Sequence, residues 1–244
     1  MKYINKLYLK LRIEVKFLLE QKWAIISPTD PTSISKKKLK KYLPSNPVII
    51  DCGAHVGADS IEFARILPNS KIYCFEPIPS IFYNLKKATR KYSNISCFQL
   101  ALGSENCEVD FYVSSGNSDA SSSLLPPSGH LSSHPDVFFN EKIKVNSQTL
   151  DSWADQNNIS KIDFLWLDMQ GFELNMLKAS VKMLNQVSII HTEVSLSDTY
   201  EGAPLYAELR EWLLQNGFIV RIEAIPKGSD MGNVFFLNKR LETI

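Results

Sequence analysis

From residue 47 onward, short uninterrupted apolar runs alternate with stretches in which apolar residues return every three or four positions. Continuous apolar runs are strands covered on both faces, and the longer spacing marks one face of a helix. Strands are predicted over 48–51, 71–75, 95–100, 162–168 and 187–193, with helices over 60–67, 80–92, 151–157 and 172–184 between them. Alternation of this kind specifies a parallel sheet with helices on both sides. A further helix opens at Pro204, carries Leu205, Leu209 and Leu213 on one face and stops at Gly217. Two strands, 218–223 and 234–237, follow it across a Gly/Ser/Asp turn and should run antiparallel. Residues 107–113 and 142–146 instead alternate apolar with polar, as an inserted antiparallel hairpin would. The Ser-, Gly-, Asn- and Pro-rich stretch 114–135 between them has the length of a lid or binding loop.

Upstream, the pattern changes. Leu7, Leu11, Val15 and Leu18 recur at helical spacing among basic residues, so the first ~20 residues read as an amphipathic helix. Pro28 bars its continuation, and a Pro/Thr/Ser segment leads to the run Lys36, Lys37, Lys38, Lys40 and Lys41. Such an arm could contact a membrane surface or a protein partner, or could pack on the domain's edge with its basic face in water. The chain thus divides into an N-terminal helix and basic linker, 1–45, and an α/β domain, 46–244.

Charge removes one class of partner. Lys and Arg (27) nearly balance Asp and Glu (26), so no overall field recruits nucleic acid. Cys52, Cys74, Cys97 and Cys107 include no Cys-x-x-Cys pair and no His at metal-ligand spacing, which fits free thiols. Lys10, Arg12, Glu14 and Lys16 interrupt what would otherwise be a signal sequence, and no apolar run reaches spanning length. A soluble, cytoplasmic protein is expected.

The strand at 48–51 ends in Asp51-Cys-Gly53-Ala-His55-Val-Gly57, a carboxylate followed by two of only ten glycines on the turn into a helix. A dinucleotide site would show G-x-G-x-x-G, whose amides nest a pyrophosphate. The acid ahead of the first glycine would repel a pyrophosphate but suits a nucleoside that bears an ammonium group and no phosphate. S-adenosyl-L-methionine is such a ligand. Glu76 ends the next strand 25 positions after Asp51, with Pro77 behind it. A carboxylate there can accept both ribose hydroxyls. Ala101-Leu102-Gly103, beside Ile78, offers a small apolar bed for adenine. Cofactor contacts are therefore expected from Asp51, Gly53, His55, Gly57, Glu76, Pro77, Ile78, Ala101 and Leu102.

Methyl transfer needs an aligned nucleophile and often a base on the same strand edge. Asp168 and Glu193 each terminate an otherwise apolar strand, and His191 shares the face of Glu193. These three are the catalytic candidates, although the acids could equally cap turns and His191 could be a core histidine. Glu173, in the first turn of its helix, suits a partner of the helix dipole. His130 and His134 can reach the site only if the 114–135 loop folds over it. No metal is assigned, for want of a third ligand.

With these residues assembled, the chain resembles the FkbM-like family of S-adenosylmethionine-dependent methyltransferases. The carriers are the 50–57 run, Phe75-Glu76-Pro77, Ala101-Leu102-Gly103, Thr149-Leu-Asp151, the 162–173 stretch with Asp168-Met-Gln170-Gly171-Phe-Glu173, and Tyr200-Glu201-Gly202. The resemblance implies a Rossmann-like class I methyltransferase fold: a mostly parallel seven-stranded sheet whose last strand is antiparallel. It also implies O-methylation of a small acceptor, a sugar or secondary-metabolite hydroxyl. One departure stands out: the family usually shows Asp-x-Glu-Gly-x-Glu where this chain has Gln170. Two other readings fit the same fold, an N- or nucleic-acid methyltransferase and a non-catalytic binding or tethering protein that uses its basic N-terminal helix. Against the first, no Asn/Asp-Pro-Pro-aromatic motif follows the fourth core strand.

Overall fold

The computed structural model of the protein describes residues 34–241, so the amphipathic helix expected upstream lies outside the described residues. Ten strands follow in order: β1 (Val48–Cys52), β2 (Lys71–Phe75), β3 (Ile95–Phe98), β4 (Ala101–Leu102), β5 (Cys107–Gly116), β6 (Val137–Gln148), β7 (Phe164–Leu167), β8 (Ile189–Ser195), β9 (Phe218–Ala224) and β10 (Met231–Asn238). Seven of them form one sheet in the order β3-β2-β1-β7-β8-β10-β9. The first five neighbours are parallel, and β10 runs antiparallel to both β8 and β9. This is the mostly parallel, Rossmann-like sheet expected, with β10 as the reversed strand.

Each core strand is apolar throughout because both of its faces are covered. Ile50, Leu165, Ile190 and Phe236 face one side, packed with Trp153, Leu174 and Leu213 from the helices Leu150–Gln156, Glu173–Lys178 and Tyr206–Gln215. Ile49, Phe164, Ile189 and Phe235 face the other, with Phe63 and Leu85 from Ala58–Ile66 and Pro79–Thr89. Ile34 and Leu39 join this second layer. The start of the lysine run is therefore packed: Lys36 pairs with Asp59 at 2.6 Å and Glu62 at 3.3 Å and lies 4.7 Å from the Trp166 ring centroid. Lys37, Lys38, Lys40 and Lys41 remain exposed.

The inserted hairpin is longer than its alternation suggested. β5 and β6 pair from Cys107↔Ser147 to Gly116↔Val137 across a register shift, and β4 adds a third strand parallel to β6. Phe111, Val145 and Ala101 pack this small sheet onto Ile78 and Ile81. Two other boundaries also differ. The third strand stops at Phe98, and the helix expected over 172–184 is two, Glu173–Lys178 and Val181–Leu184. Between them Ser180 leaves helical geometry, with φ −134° and ψ 43°. Its hydroxyl accepts the Leu150 amide at 3.0 Å, and Asp151 accepts the amides of Lys182 and Met183 at 3.2 and 2.7 Å. The Thr149-Leu-Asp151 motif is thus a splice between two helix starts, with Thr149 capping its own helix through Ser152.

Asp151→Ala should cost about 1 kcal/mol, since it strips the amides that open the second helix of their acceptor. Asp155→Ala, which removes only an exposed ion pair to Lys182, should cost well under that. Urea midpoints for the two variants check the ranking, and equal losses would refute the splice.

Candidate active site

Strand register fixes the site before any side chain is considered. Asp51, Trp166, His191 and Phe235 lie side by side across four strands. Two residues beyond that row, past the ends of β1 and β7, Gly53 and Asp168 come to the edge, with Glu193 beside them on β8. Open α/β sheets bind ligands at this carboxyl edge.

Gly53 and Gly57 have φ of +79° and +83°, and His55 between them has φ of +48°. A Cβ on Gly53 would stand 1.9 Å from the Asp168 carbonyl oxygen, so only glycine lets β1 and β7 finish in contact. A Cβ on Gly57 would meet the Leu85 methyl at 2.6 Å. Both glycines are thus required by protein packing, and Gly53 additionally leaves its backbone on the edge.

Two small cavities open around this turn, sharing Gly53, Phe111, Ser122 and Asp168 as walls. The first, of about 60 Å³, is lined further by His55, Glu76, Ile78 and Gln170. The second, of about 50 Å³, is an apolar slot between Pro77, Ala101, Leu102, Leu124 and Met169. Glu76 is 5% exposed, and its Oε1 accepts the Ile78 amide at 2.8 Å. Burial pushes its carboxyl up to about 7. His55 Nε2 lies 3.1 Å from Asp119 without forming a hydrogen bond.

Asp51 lines neither cavity. It is buried beneath the turn, where Ser60 donates to it, and burial followed by the nearby Asp59 carboxylate raises it to about 7. Gly57 also stays behind the wall. Phe111, Ser122, Leu124 and Met169 escaped the sequence reading. The β-alternation of 107–113 placed Phe111 on an inward face, whereas Ser122 and Leu124 arrive only through folding of a long loop.

That loop closes over the edge. Ser123 donates to the Gln170 carbonyl at 2.8 Å, the Tyr200 hydroxyl donates to the Ser121 carbonyl at 2.7 Å, and the amides of Ser128 and His130 donate to the Thr199 carbonyl. Beneath it lies a third cavity of about 240 Å³, where Asp168, Glu173 and Glu193 meet His130, His134 and Tyr200. The histidines of the loop do reach the strand edge. This cavity and the first share Ala120, Asp168 and Gln170 as a common wall.

Gln170 organises that wall. Its backbone has φ of +51°, and its amide nitrogen donates to Asp168 at 2.7 Å and to Glu193 at 3.0 Å. Its amide oxygen accepts the Tyr200 hydroxyl at 3.1 Å. Burial lifts the Asp168 carboxyl, and lifts Glu193 to about 8 with help from the charges of Asp168 and Glu173. Glu173, also raised to about 7 by burial, accepts the Met169 amide at 2.8 Å at the start of its own helix. Among the described residues no group of three or more His, Cys, Asp or Glu side chains is placed to hold a metal ion.

His191 stands apart from the other catalytic candidates. Its ring lies flat on Trp166, 3.5 Å between centroids and 2° between planes, one row below the edge. It lines none of the three cavities. Burial, with Lys36 nearby, drives it down to about 3, so it is a neutral core ring at ordinary pH.

The donor set suits a nucleoside carrying positive charge: a buried acid beside an apolar slot, a second acid, Asp168, past the end of β7, and among the described residues no Lys or Arg against either cavity. Comparison with known proteins agrees. The family model described as the methyltransferase FkbM domain matches residues 51–220. The 2-O-methyltransferase NoeI of Sinorhizobium fredii is 30% identical over 223 residues, covering 89% of this chain and 90% of that protein. The methyltransferase sdnD of Sordaria araneosa is 29% identical over 56% of this chain and 61% of its own. Among solved structures, the fibrillarin pre-rRNA processing protein of Methanococcus jannaschii shares the fold with a TM-score of 0.50 at 14% identity, over 80% of this chain and 67% of its own. Matched by the family model over most of its length and by a relative along nearly all of it, the chain belongs to the FkbM family of S-adenosylmethionine-dependent methyltransferases.

Proposed function

We propose that this methyltransferase acts on oxygen, transferring the methyl group of S-adenosylmethionine to a hydroxyl of a small acceptor, with a sugar as the acceptor class. The observation that carries this reading is the wall of Ala120, Asp168 and Gln170 that divides the recess beside Glu76 from a cavity lined by carboxylates, hydroxyls and imidazoles. Groups of that kind are hydrogen-bond partners for a polyol. A relative whose name specifies transfer to oxygen supports it.

When bound, the sulfonium supplies an electrophilic methyl carbon. In this reading Glu76 accepts the ribose hydroxyls, the slot of Pro77, Ala101 and Leu102 encloses adenine, and Ile78 closes its rim. Gly53 and His55 border the methionine part, and Asp168 faces its ammonium. Asp51 acts from below, holding the turn through Ser60, and Gly57 seats the helix that follows. Glu193 takes the acceptor's proton as the new carbon–oxygen bond forms and the carbon–sulfur pair returns to sulfur. A carboxyl held near 8 is a stronger base than an ordinary one once ionised. His191 has no place in the transfer, because a ring stacked under the edge reaches neither partner.

Titration calorimetry should give micromolar affinity for S-adenosylhomocysteine, and Glu76→Ala should weaken it about tenfold or more, the scale of losing hydrogen bonds to a charged acceptor. No binding at millimolar ligand would sink the reading.

A pH dependence follows as well. Asp51, Glu76 and Glu173 sit at about 7 and Glu193 at about 8, all above the ~4 of carboxyls in an unfolded chain. Raised acids favour the folded state most below the unfolded value, and the advantage is lost as pH rises through 7 to 8. Thermal melts of the unliganded protein should therefore fall from about pH 5 to about pH 8.5. Affinity for the cofactor product should rise across the same window, because its ammonium prefers ionised acids. A melting temperature that climbs with pH would contradict the first expectation, and falling affinity the second.

A further inference from the structure

We infer that the acceptor is a sugar without negative charge, an uncharged or amine-bearing glycoside, so that methylation follows glycosyl transfer and does not act on a phosphorylated or nucleotide-activated precursor. The inference rests on the function proposed above and concerns the cavity of about 240 Å³.

Three observations carry it. First, among the described residues no Lys or Arg lines this cavity or the two beside it. Nearby cations are already engaged by carboxylates on other faces, Lys36 with Asp59 and Glu62, and Lys178 with Glu208. Enclosing a phosphate without a cationic partner is costly, and sites that accept phosphates normally supply Arg, Lys or backbone amides.

Second, backbone amides that border this cavity are filled from within. Glu173 turns its carboxylate onto the Met169 amide at the opening of helix Glu173–Lys178, with its own amide and that of Gly171 close by. Third, the remaining lining is uniformly electronegative or neutral. Asp168, Glu173 and Glu193 converge; burial raises all three, and the charge of Asp168 raises Glu173 and Glu193 further. His130 adds no compensating charge, because burial and the adjacent His134 lower its pKa. An incoming phosphate would find no Lys or Arg among the described lining residues to balance its charge, and would be repelled by each of these acids as it ionises. A neutral ring instead finds acceptors for its hydroxyls and the faces of Tyr200 and Tyr206 for its C–H surface. An ammonium substituent would gain from the acids directly.

The step balances without a further reagent. A ring hydroxyl oxygen bonds to the methyl carbon, the carbon–sulfur pair passes to sulfur, and the hydroxyl proton goes to Glu193, leaving a methyl ether and S-adenosylhomocysteine. A glycosyl transfer must then supply the acceptor, since the activated donor of such a reaction carries phosphate.

The test uses the full chain saturated with S-adenosylhomocysteine and a matched panel: methyl glycosides of common hexoses, deoxyhexoses and 2-amino sugars, the same sugars as 1-phosphates, and as nucleoside-diphosphate derivatives. Binding is read by ligand-detected magnetic resonance, and methylation by mass after exchange into S-adenosylmethionine. Glycosides without negative charge should bind saturably and gain one methyl, with phosphorylated counterparts weaker by about tenfold or more. A phosphate-bearing member that equals or exceeds its glycoside overturns the inference, as does a panel in which no glycoside binds although the cofactor product does. Failure of the cofactor product itself to bind marks the different fault, in the function on which the inference rests.

Discussion

β1 and β7 finish in contact, and the rest of the site is a consequence of that approach. At Gly53 there is no room for a methyl group: the Asp168 carbonyl oxygen stands 1.9 Å from where it would be. Because the two strand ends touch, the acid that terminates β7 is brought beside the turn that terminates β1. Nucleoside recess and acceptor cavity then have one wall between them, built from Asp168, Gln170 and the loop residue Ala120. Reacting atoms must come within about 3–3.5 Å for transfer, and a wall one side chain thick is what makes that separation reachable. A larger residue at position 53 would part the strands and thicken the wall before it touched any ligand.

Burial, more than any pairwise contact, sets the chemistry of the acids. For Asp51, Glu76, Asp168, Glu173 and Glu193 removal from water is the largest influence, and in each it favours the neutral form. Hydrogen bonds from Ser60, the Ile78 amide, Gln170 and the Met169 amide oppose it without prevailing. Such a set is held in tension by the fold and relieved by a cation. Among the described residues no Lys or Arg lines the cavities, so a ligand that relieves the set is one that brings positive charge, which links the cofactor's chemistry to the sheet's geometry.

What could be read from sequence follows from the range of the interactions involved. Strand termini are local: apolar runs ending in Glu76, Asp168 and Glu193 announced an edge where carboxylates gather, and these three line its cavities. Depth is not local. Asp51 and His191 share the parity of edge residues yet stand one row inside, since register across β1, β7, β8 and β10 is decided by pairing over more than a hundred residues. The flat stack of His191 on Trp166 could not be seen in either strand alone. Nor could the break at Ser180, which depends on a hydroxyl meeting the Leu150 amide thirty positions away. The 114–135 stretch was legible as a long loop from composition, but its docking through Thr199 and Tyr200 rests on contacts whose partners have no periodic signature.

Gln170 shows how one atom's identity can alter the logic of such a wall. A glutamate at this position, as the family usually has, could bridge Asp168 and Glu193 only through a shared proton or a cation, because ionised carboxylates accept and do not donate. The amide nitrogen carries two hydrogens, and the structure aims both at those carboxylates, 2.7 and 3.0 Å away. The amide oxygen shares the single Tyr200 hydroxyl proton with the Ser121 carbonyl of the loop, at 3.1 and 2.7 Å. Strand β7, strand β8 and the covering loop are thus tied at one side chain whose protonation never changes. Charge that a glutamate would add is absent, and the bridge it would owe to a proton or ion is made covalently permanent in the amide. The left-handed backbone at 170, with φ of +51°, is the conformational cost of turning that amide into the wall, and the three hydrogen bonds it makes are what offset it.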